Sequence, residues 1–196
     1  MEFPRNYIVF DTETTGLFPE QDKIIELGAI KVIEGQVIAR FNCLVNHGVE
    51  ISAKTIELTT ITKELVEKEG ISPEKAISNF LEFIGSNLTI VGHNIVRFDI
   101  PFVNAWSPGF KAMVDERVID TAALYKAKKL GVNPPEDGGH HDWALDLLNQ
   151  KNYGVKYSVS VCCEELGIDK AGMNQHRAMG DVELTNEIYK RLCLGK

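Results

Sequence analysis

Long apolar runs are missing from this sequence: the longest unbroken ones, at 7–10 and 122–125, have four residues, against the roughly 18 that a bilayer-spanning helix needs. No membrane partner is expected. The opening MEFPRN lacks a basic stretch leading into an apolar core, so no secretory signal is read and the cytoplasm is the expected location. Cysteine is scarce and unpatterned. Cys43, Cys162, Cys163 and Cys193 show no C-x-x-C spacing, which excludes the usual zinc and dithiol motifs and predicts free thiols. Positive charge is also in deficit, with 21 Lys and Arg against 28 Asp and Glu, a net −7. That excludes a broad electrostatic footprint on duplex nucleic acid, though not a grip on a short single-stranded end. No repeat or biased segment stands out, and 44% apolar with 25% charged residues over 196 positions predicts one compact domain spanning 1–196. An acidic excess can also arise where carboxylates cluster to hold divalent cations.

Tyr7, Ile8, Val9 and Phe10 form a β-branched and aromatic run. Strand-like runs follow over 24–33 and 36–45, joined as a hairpin by the break at Glu34 and Gly35. Between 72 and 85, Ile77, Phe80, Leu81 and Ile84 fall at helical spacing, with Ser72 suited to the N-cap and Pro73 to the first turn. Thr89 to Val91 reads as a buried strand, and Val118 and Ile119 as a short apolar segment ending in Asp120. From 128 to 155 the periodicity fades into a Pro- and Gly-rich stretch, read as an elaborated loop broken by a short helix over 142–149. Val159, Cys162, Cys163 and Leu166 predict a helix that Gly167 ends, and a last helix covers about 178–194. Strands first, then helices interleaved with strands, predict an α/β protein with one mixed sheet flanked by helices.

Three acidic segments stand out. In Asp11, Thr12, Glu13, Thr14, Thr15, Gly16 and Leu17, strand geometry points Asp11 and Glu13 to the same face where a buried run ends. Neighbouring carboxylates resist joint ionisation unless a cation lies between them. A polar turn after a strand is the plainer reading. In the second segment, His93, Asn94, Ile95, Val96, Arg97, Phe98 and Asp99, Asp99 shares a helical stripe with Phe102, Val103 and Trp106, which turns it inward; N-capping is the alternative. The third is His176 to Asp181, where Asp181 heads the stripe of Leu184, Ile188 and Leu192. A solvated or capping imidazole is the alternative for His176.

Taken together these segments resemble the DEDD superfamily of 3′ to 5′ exonucleases, specifically the DEDDh, DnaQ-like branch typified by proofreading epsilon subunits. Its D-x-E-T-T-G-L motif is complete at 11–17. H-N-x-x-F-D appears as His93, Asn94, Phe98 and Asp99 with one additional residue, and H-x-x-x-x-D is His176 and Asp181. Weaker likenesses are Leu58 to Thr62, similar to L-T-G-I-T with Thr60 in place of glycine, and Val118 to Thr121. The resemblance implies a ribonuclease H-like fold, with Asp11, Glu13, Asp99 and Asp181 holding two divalent ions, Mg²⁺ or Mn²⁺, and His176 as general base. It implies hydrolysis of single-stranded DNA or RNA 3′ ends to nucleoside 5′-monophosphates, with a polymerase or other replication or repair protein as a partner. Thr14, Thr15, Gly16 and Leu17 resemble the loop that receives the terminal nucleotide, and Asn94 and Phe98 resemble supporting pocket residues. Five helical steps of about 100° separate His176 from Asp181, so the two cannot share a helical face. An imidazole is moreover a poor ligand for hard Mg²⁺.

Two other classes compete. Asp11, Thr12, Glu13 and Thr14 nearly match the D-x-D-x-T of haloacid-dehalogenase-type phosphatases, a reading that leaves His176 and Asp181 unexplained. A non-catalytic nucleic-acid-binding module would be expected to lose its acids, and all four are here. His140, His141 and Asp142 read as solvated loop rather than a second metal site. Trp143, Leu145, Leu147 and Leu148 read as anchors of the 128–155 segment, with base stacking as the alternative for the aromatic.

Overall fold

The computed structural model describes residues 3–136, 138–151, 154–173 and 175–195. Its strands are β1 (Tyr7–Thr14), β2 (Ile24–Ile33), β3 (Gln36–Leu44), β4 (Thr89–Gly92) and β5 (Val118–Asp120). Between β3 and β4 run helices α1 (Ala53–Thr59), α2 (Lys63–Glu69) and α3 (Pro73–Ile84). Then come α4 (Asp99–Trp106) and α5 (Phe110–Val114) before β5, and α6 (Thr121–Leu130), α7 (His140–Asn149), α8 (Val159–Leu166) and α9 (Ala178–Tyr189) after it. A π-helical turn, Lys190–Leu194, completes the last element. Among the described residues no helix is long and apolar enough to cross a membrane.

The sheet order is β3-β2-β1-β4-β5. The hairpin is antiparallel, turning through Glu34 and Gly35 at φ 52° and 78°, the doubly positive geometry that matches strand twist in a two-residue turn. β4 and β5 run parallel to β1, so each needs a helical crossover, which the intervening helices supply. Alternation along β1 divides the core. Ile8 and Phe10 pack with Phe80, Ile100, Phe102 and Leu148 on one face, whereas Tyr7 and Val9 pack with Val182 and Tyr189 of α9 on the other. α9 is also tied by polar contacts: the Tyr7 hydroxyl donates to Asn186 Oδ1 at 2.8 Å, and the Tyr189 hydroxyl to the Pro4 carbonyl at 2.8 Å.

α3 takes the predicted bounds, with the Ser72 hydroxyl accepting from Lys75 N, Pro73 at the start and Gly85 at the end. The 128–155 segment departs from expectation, apart from residues 137, 152 and 153, which lie outside those described. Its beginning belongs to α6, which Gly131 ends at φ 68°. Its middle is α7, two residues longer at the start than the expected 142–149, with Ala144, Leu147 and Leu148 in the main core. Trp143 and Leu145 are half-buried against the same core. His141 is buried at 3% exposure rather than solvated, because it lies in the first turn of a helix that docks beside Asp115, 3.3 Å from its Nδ1. Lys126 is the fastener: its buried ammonium donates to the Leu147 and Gln150 carbonyls, both at 2.7 Å, closing the α7 C-terminus.

Candidate active site

β1 outruns its parallel neighbour. β4 pairs with it only through Val9, while β2 continues beside it, with Asp11 opposite Gly28 and Glu13 opposite Glu26. The last acidic turns of β1 therefore have one open flank. Asp11 and Glu13 share the parity of Tyr7 and Val9, so they face α9, whose first turn brings Asp181. Carboxylate oxygens of Asp11, Glu13 and Asp181 lie within 4.8 Å of one another.

Asp99 arrives from the other side of the strand. It is buried, and its Oδ1 accepts from the Thr12 backbone N–H at 2.9 Å and the Thr12 hydroxyl at 2.7 Å. It stands outside the three-carboxylate cluster yet lines the same cavity of about 410 Å³, with Asp11, Glu13, Asp181, His176, Asn94 and Phe98. The additional residue of the second motif is absorbed in the turn before α4, so Asp99 keeps its inward position as the first residue of that helix. No side-chain cap closes that helix start, so the N-cap alternative falls.

The electrostatics are adverse to full ionisation. Burial first, then Asp99, Asp181 and Glu13, hold the Asp11 carboxyl well above the usual range. Burial and Asp181 raise Glu13 to about 8, with Arg177 opposing. Burial raises Asp99 to about 7 against the two Thr12 hydrogen bonds, and raises Asp181 against the bond from His176 N–H. Such a group titrates as a unit and is relieved by a cation.

His176 is exposed, sits at φ 63°, and donates its backbone N–H to Asp181 Oδ2 at 2.9 Å. Asn94, at φ 59°, lines the cavity, and its Oδ1 is buried with no protein partner. The loop after β1 is braced within itself: the Thr14 hydroxyl donates to the Gly16 carbonyl at 2.6 Å, and the Thr15 hydroxyl to Asp22 at 3.2 Å. A Cβ on Gly16 would lie 2.4 Å from that Asp22 carboxylate, so a larger residue there would displace Asp22 from the Thr15 hydroxyl and the Phe18 N–H that it accepts from. Leu17 and Phe18 project from the loop at 72% and 63% exposure. Thr14, Thr15, Gly16 and Leu17 are thus beside the cavity rather than among its lining residues.

Sequence reasoning missed four supports. Asp120 ends β5 and accepts from the backbone N–H groups of Asn94, Val96, Ala122 and Ala123 at 2.9–3.2 Å, fixing the turn that leads to Asp99. His93 is held between the Thr121 hydroxyl at 2.9 Å and the Tyr157 carbonyl at 2.7 Å, and burial lowers its pKa to about 4. Thr12 orients Asp99. Glu26, fully buried, holds Arg177; an acid inside the apolar run IIELGAI was the available signal.

The sequence profile of the Exonuclease family (RNase_T) matches residues 8–189. The chain belongs to this family, in its DnaQ-like DEDD 3′ to 5′ branch. This exonuclease is 33% identical over 186 residues to DNA polymerase III PolC-type of Thermotoga petrophila, covering 94% of the chain and 12% of that protein. With the PolC-type polymerase of Latilactobacillus sakei subsp. sakei the identity is 41% over 191 residues, covering 95% and 11%. The exonuclease thus spans a small fraction of the curated relatives it matches. Among solved structures, Escherichia coli Exonuclease I in complex with a dA16 oligonucleotide superposes with a TM-score of 0.72 at 19% identity, covering 96% of this chain and 41% of that one. The product-bound structure of exonuclease I gives 0.70 at 18%, covering 97% and 44%. The mixed sheet flanked by helices is accordingly a ribonuclease H-like fold.

Proposed function

We propose that this exonuclease hydrolyses the terminal phosphodiester at the 3′ end of a single nucleic-acid strand and releases a nucleoside 5′-monophosphate. The observation that carries this reading is the convergence of Asp11, Glu13 and Asp181 within 4.8 Å in the cavity that Asp99 and His176 also line. An all-carboxylate donor set of this kind fits hard divalent cations, and the unpartnered charge pressure on Asp11 fits an ion that relieves it. Asp11, Glu13, Asp99 and Asp181 are the residues proposed to hold two ions, Mg²⁺ or Mn²⁺. Bound there, such ions would lower the pKa of a water and offset charge on the leaving 3′ oxygen.

The protein's own groups supply the rest. Thr12 holds Asp99 in one orientation through two hydrogen bonds. His176, exposed at the cavity edge, accepts the proton of the attacking water, the role suited to an imidazole at neutral pH. Asn94 and Phe98 form part of the pocket wall, and the braced loop of Thr14, Thr15, Gly16 and Leu17 receives the terminal nucleotide. The PolC-type relatives support DNA as the polymer and a polymerase as a partner.

Matched single-stranded DNA, duplex DNA and RNA, each labelled at one end, test the reading. With Mg²⁺ or Mn²⁺ the expected product is a mononucleotide released from the 3′ end, and excess EDTA abolishes it. Full activity in EDTA, or release from the 5′ end, refutes it.

A further inference from the structure

The first turn of α9 carries Asp181, and the residue two before the helix is His176, so whatever seats this helix start sets both groups. Arg177, the N-cap residue, makes no side-chain cap of its own. The seat comes instead from β2, 151 residues earlier. Glu26 Oε2 accepts from Arg177 Nε and from the Ala178 backbone N–H, both at 3.0 Å, while its Oε1 accepts from Arg177 Nη2 at 2.7 Å. One carboxylate therefore grips the guanidinium with both oxygens and caps the helix from a different element. Two positions along the same strand face, Gly28 lets the helix come close: a Cβ there would lie 2.8 Å from the Ala178 carbonyl carbon and 2.9 Å from Met179 N.

Glu26 is fully buried, which is costly for a carboxylate unless it is paired and hydrogen-bonded. Its position opposite Glu13 in the sheet register adds like charge beside an acidic site. Core packing does not call for an acid there. His176, by contrast, is exposed and holds a left-handed backbone conformation, with φ 63°, which a non-glycine residue keeps only when its surroundings impose it. Its N–H bond to Asp181 fixes one side of the turn; the Arg177 and Ala178 contacts of Glu26 fix the other.

We infer that Glu26, with Gly28 beside it, is a positioning residue for His176: it clamps Arg177 and the α9 start so that the imidazole stays at the cavity edge. This rests on the general-base role proposed above. Glu26→Gln keeps an oxygen for Ala178 N–H and Arg177 Nε but loses the negative charge and the acceptor for Arg177 Nη2, which loosens the clamp. On a single-stranded oligonucleotide with Mg²⁺ it should lower kcat by roughly 10- to 100-fold with KM little changed, as expected for a misplaced catalytic group. In a His176→Ala background the same change should cost at least several-fold less, the remainder reporting the seat of Asp181 on the same helix start. Amide exchange over 175–179 should accelerate in Glu26→Gln. An equal proportional loss in both backgrounds, or an unchanged kcat, overturns the inference. If the wild-type protein cleaves no 3′ end, or His176→Ala keeps wild-type turnover, the proposed function fails instead. Amide exchange still judges the clamp in that case, and unchanged exchange refutes it. Should Glu26→Gln not fold, its combination with Arg177→Met leaves no buried charge unpaired and carries the same expectations.

Discussion

At the end of β5, Asp120 is buried to 2% exposure and takes four backbone N–H groups, whereas in the second half of β1 the Asp11 carboxyl is pressed upward by burial and by Asp99, Asp181, Glu13 and Glu26. Both acids sit on sheet strands. Burial raises Asp120 only to about 6, with the backbone donors pulling down; at Asp11 the principal influences all push the same way. The difference is between an acid satisfied by backbone donors and one pressed by neighbouring carboxylates. Asp120 carries its counter-dipoles with it and organises the turn before α4, while the β1 acids remain electrostatically incomplete until something positive arrives.

That contrast can be broken at either end. The largest effect is expected for Asp11→Asn, which should reduce turnover by more than roughly 10⁴-fold, about 5 kcal/mol of barrier. Melting of the metal-free protein should hold or rise as like-charge repulsion is relieved; a fall in melting temperature would make Asp11 structural. His176→Ala should lower kcat by roughly 10²- to 10⁴-fold while 3′-end binding changes little, measured by single-turnover kinetics and titration. Asp120→Ala should do the opposite of Asp11→Asn, destabilising by about 3 kcal/mol in urea unfolding, since it strands buried N–H groups and removes the α6 cap. A milder probe is pH. Glu13 near 8 and Asp99 near 7 lie above their ordinary values, so the stability they contribute is full below about pH 4 and lost as pH rises through about 7 and 8. The metal-free protein should melt lower at about pH 9 than at about pH 6, and Mg²⁺ should flatten the decline. The smallest effect is at Thr60, a β-branched residue at φ 61° ending α1: Thr60→Gly should stabilise by about 1 kcal/mol, read by the same unfolding curves.

The acids were legible because each closes a local pattern: Asp11 and Glu13 follow a β-branched run, and Asp99 and Asp181 head apolar stripes. The hairpin and α3 were legible for similar reasons, through a two-residue turn and a Ser-Pro start. α1 and α2 were not, since seven residues each are too few to show a period, and Ile61 and Val66 find their partners Ile25 and Leu44 only in the folded chain. α6 was hidden by Lys126, which reads as solvent-facing and is buried on α7 carbonyls. Glu26 was hidden in a different way: its meaning lies in Arg177, 151 residues on, and no local pattern spans that distance.

The Tyr189 hydroxyl rests on the Pro4 carbonyl, and the Phe3 ring meets the Tyr189 ring edge-on, so the residues leading into β1 and the last turn of α9 hold each other. The two then open as one unit. Fraying of residues 3–6 loosens the far end of the helix whose first turn carries Asp181, and the grip of the leading segment is felt at the other end of the molecule's last helix.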